Sequence, residues 1–129
     1  MARYLHTMLR IKEPDRSRRF YEALGFTFSN DFDIVRNGDV EATNYFFSIG
    51  DQPNVLELTY NHDGREYELG TAYGHIAIGV DGLDETLAKL KQQGIEPERE
   101  PYSVREGGSR LTFVRDPDGY RIELIDRGR

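Results

Sequence analysis

Apolar and polar positions along this chain fall into two similar series, each beginning with a strict alternation and passing into a helical spacing. Residues 4–11 alternate, which predicts a strand with His6, Met8 and Arg10 on one face and Leu5, Leu9 and Ile11 on the other. Pro14-Asp15 opens a helix whose apolar stripe is Phe20, Tyr21 and Leu24 and whose stop is Gly25. Residues 26–28 read as a short strand, and Asn37-Gly38 marks a hairpin or exposed loop. Residues 43–49 and 55–60 follow as strands on either side of Gly50-Asp51-Gln52-Pro53. The order then begins again. Residues 75–80 predict a strand, and residues 83–93 a helix with Leu83, Leu87 and Leu90 inward and Gly94 as its stop. Short strands over 95–98 and 110–114, the turn Asp116-Pro117-Asp118-Gly119 and a strand over 120–125 complete the second series.

Each half thus reads as strand, helix and three strands, and the match extends to single positions. His6 to Gly25 is 19 residues, as is His75 to Gly94. Gly25 to Glu57 is 32 residues and Gly94 to Glu123 is 29, a difference that hairpin loops absorb. Both glutamates sit between aliphatic neighbours, in Leu56-Glu57-Leu58 and Ile122-Glu123-Leu124. The domain reading is a single unit over 1–129, with an N-terminal module at about 1–62, a connection at about 63–72 and a C-terminal module at about 73–127.

The two glutamate strands carry the chemistry. Glu57, Thr59 and Asn61 point one way and Leu56, Leu58 and Tyr60 the other, while Arg121 and Glu123 oppose Ile122 and Leu124. The aliphatic faces pack on the helices, so the glutamate faces are polar and shared with His6 and Arg10. On the strand from His75 that face holds Ala77 and Gly79, which leave space beside the imidazole. Read singly, a glutamate in an apolar run is the solvent side of a half-buried strand, and a strand histidine is a hydrogen-bonded structural residue. Matched as a quartet, His6, Glu57, His75 and Glu123 read as ligands of a borderline divalent cation such as Ni²⁺, Co²⁺ or Zn²⁺. His62 reads as a solvated loop residue, the arginines at 16, 18 and 19 as the wet face of the first helix, and Gly107-Gly108 as a loop without phosphate-binding spacing.

Composition narrows the alternatives. The 129 residues are 37% hydrophobic and 31% charged, as in a globular chain. There is no cysteine, which excludes disulfides, thiolate metal sites and a cysteine nucleophile. The net charge of −6 makes a poor nucleic-acid binder. No apolar run reaches the roughly 18 residues of a membrane span, and residues 1–11 do not read as an export signal. A cytoplasmic location is the expectation.

At this point the sequence resembles a family. LHTMLR at 5–10, ELTYN at 57–61, YELGTAYGHIAI at 67–78 and DPDGYRIELI at 116–125 are similar to the bacterial short-form glyoxalase I enzymes, the lactoylglutathione lyases of the vicinal-oxygen-chelate superfamily. The resemblance implies an α+β fold of two βαβββ modules whose sheets form an open cup that pairs in a homodimer, with metal sites at the interface. It implies isomerisation of the hemithioacetal of methylglyoxal and glutathione to S-lactoylglutathione through an enediolate. The family's metal ligands fall on His6, Glu57, His75 and Glu123, its proton-moving base on Glu123, and its substrate contacts on Arg10, Asn61 and His75. One subunit then supplies His6 and Glu57 and its partner His75 and Glu123, with Ni²⁺ or Co²⁺ preferred over Zn²⁺ and glutathione as co-substrate. Residues 29–54, the loop at 102–110 and His62 depart from the family's commoner pattern, which bears on the thiol more than on the chemistry. The rival readings are another metal-dependent superfamily enzyme (an epimerase, a dioxygenase or a thiol transferase) and a metal-free sequestering protein.

Overall fold

Alternating side chains over Thr7–Ile11 bury Leu9 and Ile11 and leave Met8 and Arg10 outside, and this strand, β1, starts the first of two units in the computed structural model. The structure describes residues 1–127, and the chain divides into Met1–Glu68 and Leu69–Arg129. After β1 come helix α1 (Pro14–Leu24) and the strands β2 (Phe26–Arg36), β3 (Asp39–Ile49) and β4 (Gln52–Asn61), in the sheet order β1-β4-β3-β2. The second unit holds β5 (Ile76–Val80), α2 (Leu83–Lys91), β6 (Leu111–Arg115) and β7 (Arg121–Asp126), in the order β5-β7-β6. The α+β class and the repeat of strand, helix and sheet are as expected.

In both units the first strand lies parallel to the last. Parallel neighbours need a crossover long enough to return the chain, and the helix supplies it. Proline at its first turn starts α1 without loss of a hydrogen bond. Gly25 ends it at φ 113°, a left-handed backbone that costs glycine little, with its N–H bonded to the carbonyl of Glu22. The inner face of α1 presents Phe20, Tyr21 and Leu24, packed edge-to-face from Phe20 through Tyr21 to Phe26. In α2 the buried row is Leu83, Thr86 and Leu90. Leu87, expected inward, is only half-buried, because its place in the row is taken by Thr86 one residue earlier.

Several boundaries differ from expectation. The strand expected from residue 4 begins at Thr7, and Leu5 is 62% exposed rather than in the core. Its pairing runs out because β4 passes through Pro53, which has no N–H, and Asn54, which has φ 54°. The short strand at 26–28 is an eleven-residue strand in a long hairpin with β3, turned by Asn37 at φ 54° and Gly38 at φ 84°, the conformation for which Asn-Gly is favoured. Helix α2 closes at Lys91, short of residue 93. The short strand expected at 95–98 is absent among the described residues. That segment touches β6 through the Glu98 N–H to the Phe113 carbonyl and a bridge from Tyr102 to Leu111. Between these two contacts the segment advances four residues while β6 advances two, and that slip of register prevents a continuous ladder there. Among the described residues no helix is long and apolar enough to cross a membrane.

Truncating the fully buried ring of Phe20 tests the packing of α1 on its sheet. Phe20→Ala is expected to lower the stability of the chain by about 3–5 kcal/mol in urea unfolding, because the rings packed around it, Tyr21 and Phe26 among them, can collapse only partly into the space.

Candidate functional site

The same local construction positions a histidine and a glutamate in each unit. In the first, Met8 is the register partner of Glu57, and His6 lies two residues before Met8 on the same face. In the second, Ala77 partners Glu123, and His75 lies two residues before Ala77. Both histidines fall just before their strands, where the ring can lean over the neighbouring strand. His6 Nε2 comes 2.8 Å from Glu57 Oε1, and His75 Nε2 comes 3.2 Å from Glu123 Oε1. The carboxylates are the more sheltered members, at 13% and 17% side-chain exposure against 37% and 38% for the imidazoles. Sequence reasoning pairs these residues in this way. Among the described residues no group of three or more His, Cys, Asp or Glu side chains is gathered as a metal site, and each unit by itself presents one couple.

Each couple fits a divalent ion. Nitrogen and oxygen ligands at about 2.0–2.2 Å from a metal and at right angles to each other lie about 3 Å apart, and the observed separations of 2.8 and 3.2 Å fall on either side of that value. The converging atoms are the Nε2 and carboxylate oxygen that a borderline metal prefers.

Around the first couple, Phe46 lies across the sheet from Glu57 and meets His6 edge-to-face at 5.7 Å, with Phe32 stacked behind it. Asn44 and Thr59, both buried, are joined by a 2.7 Å hydrogen bond on the same face. Asn61 donates from Nδ2 to the Tyr67 hydroxyl at 2.6 Å, and Arg10 stands exposed on β1. His62, expected to be merely solvated, is exposed but held: its Nε2 lies 2.8 Å from Thr43 Oγ1, which donates to Asp33, and its ring abuts Tyr60.

Around the second couple, Phe113 lies across from Glu123 and meets His75 edge-to-face at 5.1 Å. The space expected beside Gly79 is taken by the aliphatic stem of Arg127. The Tyr73 hydroxyl donates to the Arg121 carbonyl at 2.9 Å, and burial, with the charge of Asp116, pushes its pKa up to about 12, so it remains a neutral donor at the start of β7. Arg121 in turn makes three contacts of 2.9–3.2 Å with the Glu98 carboxylate. Phe46, Phe113 and the Arg121–Glu98 pair are absent from the sequence-based set. The signal for the first two is in the repeat: a phenylalanine stands 11 residues before Glu57 and 10 before Glu123, a hairpin's length in each case.

The glyoxalase/bleomycin resistance protein/dioxygenase superfamily model matches residues 3–124, and the chain belongs to that superfamily. Within it the similarity is to lactoylglutathione lyases. The probable lactoylglutathione lyase of Vibrio parahaemolyticus serotype O3:K6 is 45% identical over 127 residues, covering 96% of this chain and 90% of that one. Two solved structures agree in fold. Glyoxalase I from Zea mays has a TM-score of 0.83 at 34% identity; 98% of this chain is covered but only 45% of the maize chain, so this chain spans less than half of it. The trypanothione-dependent glyoxalase I of Leishmania major has a TM-score of 0.79 at 39% identity, covering 98% of this chain and 87% of that one.

Hydrogen bonds from Arg121 are the largest influence on the Glu98 carboxyl; burial opposes them, the charges of Arg121 and Arg115 reinforce them, and the net effect holds the group below the usual glutamate range. A depressed folded value means stabilisation that is complete above the unfolded pKa and lost as pH falls through the folded one. The urea midpoint of the wild type is therefore expected to decline on acidification below the ordinary glutamate range more steeply than that of Glu98→Gln, and parallel profiles would remove the pair from the acid response.

Proposed function

We propose that this protein is a metal-dependent lactoylglutathione lyase, isomerising the hemithioacetal of methylglyoxal and a thiol such as glutathione to the S-lactoyl thioester. The observation that carries the reading is the pair of imidazole–carboxylate couples, His6–Glu57 and His75–Glu123, each spaced as two ligands of one divalent ion. Lactoylglutathione lyases among the relatives support the same chemistry.

A bound divalent ion supplies Lewis acidity that polarises substrate oxygens. The remaining work belongs to the chain. His6, Glu57, His75 and Glu123 hold the ion, and because they come as two couples, a homodimer that brings one couple from each subunit completes the set. Glu123 takes the proton from the hemithioacetal carbon that bears sulfur and returns it to the adjacent carbonyl carbon. The C–H bond broken on one carbon is replaced on its neighbour, the hydroxyl carbon becomes the thioester carbonyl as its O–H proton passes to the former carbonyl oxygen, which becomes the new hydroxyl, and no external oxidant or water is consumed. The Glu123 Oε1 faces His75, and the carboxylate is the more sheltered member of the couple. His75 also borders the reacting oxygens. Arg10 and Asn61 lie on the Glu57 face, where a cation and an amide suit the carboxylate and peptide groups of a glutathione-like tail. The paired phenylalanines Phe32 and Phe46 give the His6 side an apolar wall. The tail pocket is where the choice of thiol lies, and the similar glyoxalase I of Leishmania major is trypanothione-dependent, which supports leaving the thiol open to test.

Chelator-stripped protein is expected to lose at least about 99% of its thioester-forming activity, in line with loss of a metal acting on the reacting oxygens. Reconstitution should restore more turnover with Ni²⁺ or Co²⁺ than with Zn²⁺. Glu123→Gln, reconstituted with the same metal, should fall about 10²–10⁴-fold in kcat. The assay follows thioester absorbance with methylglyoxal and several thiols; full turnover by stripped protein would overturn the reading.

A further inference from the structure

One arrangement beside the second couple has no part in the reaction as described. Phe113 is the register partner of Glu123 and meets the His75 ring at 79°. The Arg121 guanidinium lies 3.8 Å over the centre of the same Phe113 ring. Glu98 fixes that guanidinium through its Nε and Nη2, while the Glu98 backbone N–H donates to the carbonyl of Phe113 itself at 2.8 Å. One residue is thus gripped twice from Glu98, through its backbone directly and through its ring by way of Arg121.

We propose that Phe113, clamped by Arg121 and Glu98, is a positioning residue that sets the plane of the His75 imidazole and thereby the aim of Nε2 at the atom it shares with Glu123. The inference rests on the reading of His75 and Glu123 as ligands. His75 precedes its strand and its side chain is 38% exposed, so rotation of the ring is limited mainly by what it touches. An aromatic face against its edge is such a restraint, and a planar cation over that aromatic ring, itself held by a bidentate carboxylate, immobilises the restraint.

The first unit repeats the device with a different clamp. Phe46 is the partner of Glu57 and meets His6 at 84°, but the group stacked on it is Phe32. A phenylalanine thus recurs opposite each glutamate and against each histidine, on the sheet face that carries the glutamate and away from Leu56, Leu58, Ile122 and Leu124. The two clamps differ in kind, one aromatic and one ionic. Removing the ionic clamp should therefore disturb His75 and leave His6 in place, a selectivity that a general loss of stability would not produce.

The test uses the full chain. Imidazole NMR of the metal-free protein, with three histidines to assign, reads the ring environments. Titration of Ni²⁺ against a chromophoric chelator reads affinity. Phe113→Leu is expected to move the His75 ring resonances, to leave those of His6 unmoved and to weaken Ni²⁺ binding about ten-fold, the scale found when groups that orient metal ligands are lost. Arg121→Lys keeps the charge but loses the planar stack, and Glu98→Gln loses the charged tether; both should shift the same His75 resonances and weaken binding in the same direction. Arg115→Gln, which removes the other cation near Glu98 at 3.6 Å, should leave both readouts unchanged. Unmoved His75 resonances in Arg121→Lys and Glu98→Gln overturn the inference, and they do so even where Phe113→Leu does not fold. A wild-type chain that takes up no Ni²⁺ defeats the metal reading alone, and the ring resonances then still decide the positioning role.

Discussion

The register of one parallel strand pair governs what this chain can do, and it is used twice. Placing the second residue after each histidine opposite the glutamate brings an imidazole and a carboxylate within 2.8 Å in one unit and 3.2 Å in the other. A slip of one residue would turn Glu57 or Glu123 toward the helix and bring an aliphatic side chain to the polar face. Burial of Leu56 and Leu58 beside Glu57, and of Ile122 and Leu124 beside Glu123, opposes that slip, because each would have to exchange an apolar environment for water. The hydrophobic residues flanking each glutamate are in this sense part of the site, since they hold its carboxylate on the correct face.

Those aliphatic faces need cover, and the crossover helices provide it. Phe20, Tyr21 and Leu24 from α1, and Leu83 and Leu90 from α2, are all buried. A crossover that both returns the chain to a parallel strand and seals one sheet face leaves the other face open for chemistry. The polar face then collects its own supports: Thr59 with Asn44, Asn61 with Tyr67, and a phenylalanine across from each glutamate.

The residues of the candidate site were legible because they break a pattern. Glu57 and Glu123 interrupt aliphatic runs, and His6 and His75 open alternating ones at matched distances from a helix stop. What alternation cannot express is which residue lies opposite. Phe46 partners Glu57 through a hairpin whose register shifts between Phe47 and Ile49, and Phe113 partners Glu123 across the turn that includes Gly119. Arg121 meets Glu98 from 23 residues away through a segment without regular structure. The end of β1 was hidden for a similar reason, since Leu5 alternates correctly and its exposure is decided by Pro53 and Asn54 on another strand. Elements set by local periodicity were readable, and those set by a distant partner were not.

The proline-bearing stretch beside β6 has a consequence for how the chain behaves among its own copies. Its backbone meets β6 at Glu98 and at Tyr102, so the outer margin of that sheet is occupied without being zipped into a further strand. Pro97 and Pro101 present no N–H groups from which an incoming chain could extend a ladder. A sheet margin treated in this way is a poor template for edge-to-edge aggregation, so the chain can keep a short, apolar sheet beside its reactive face without inviting intermolecular strand addition there.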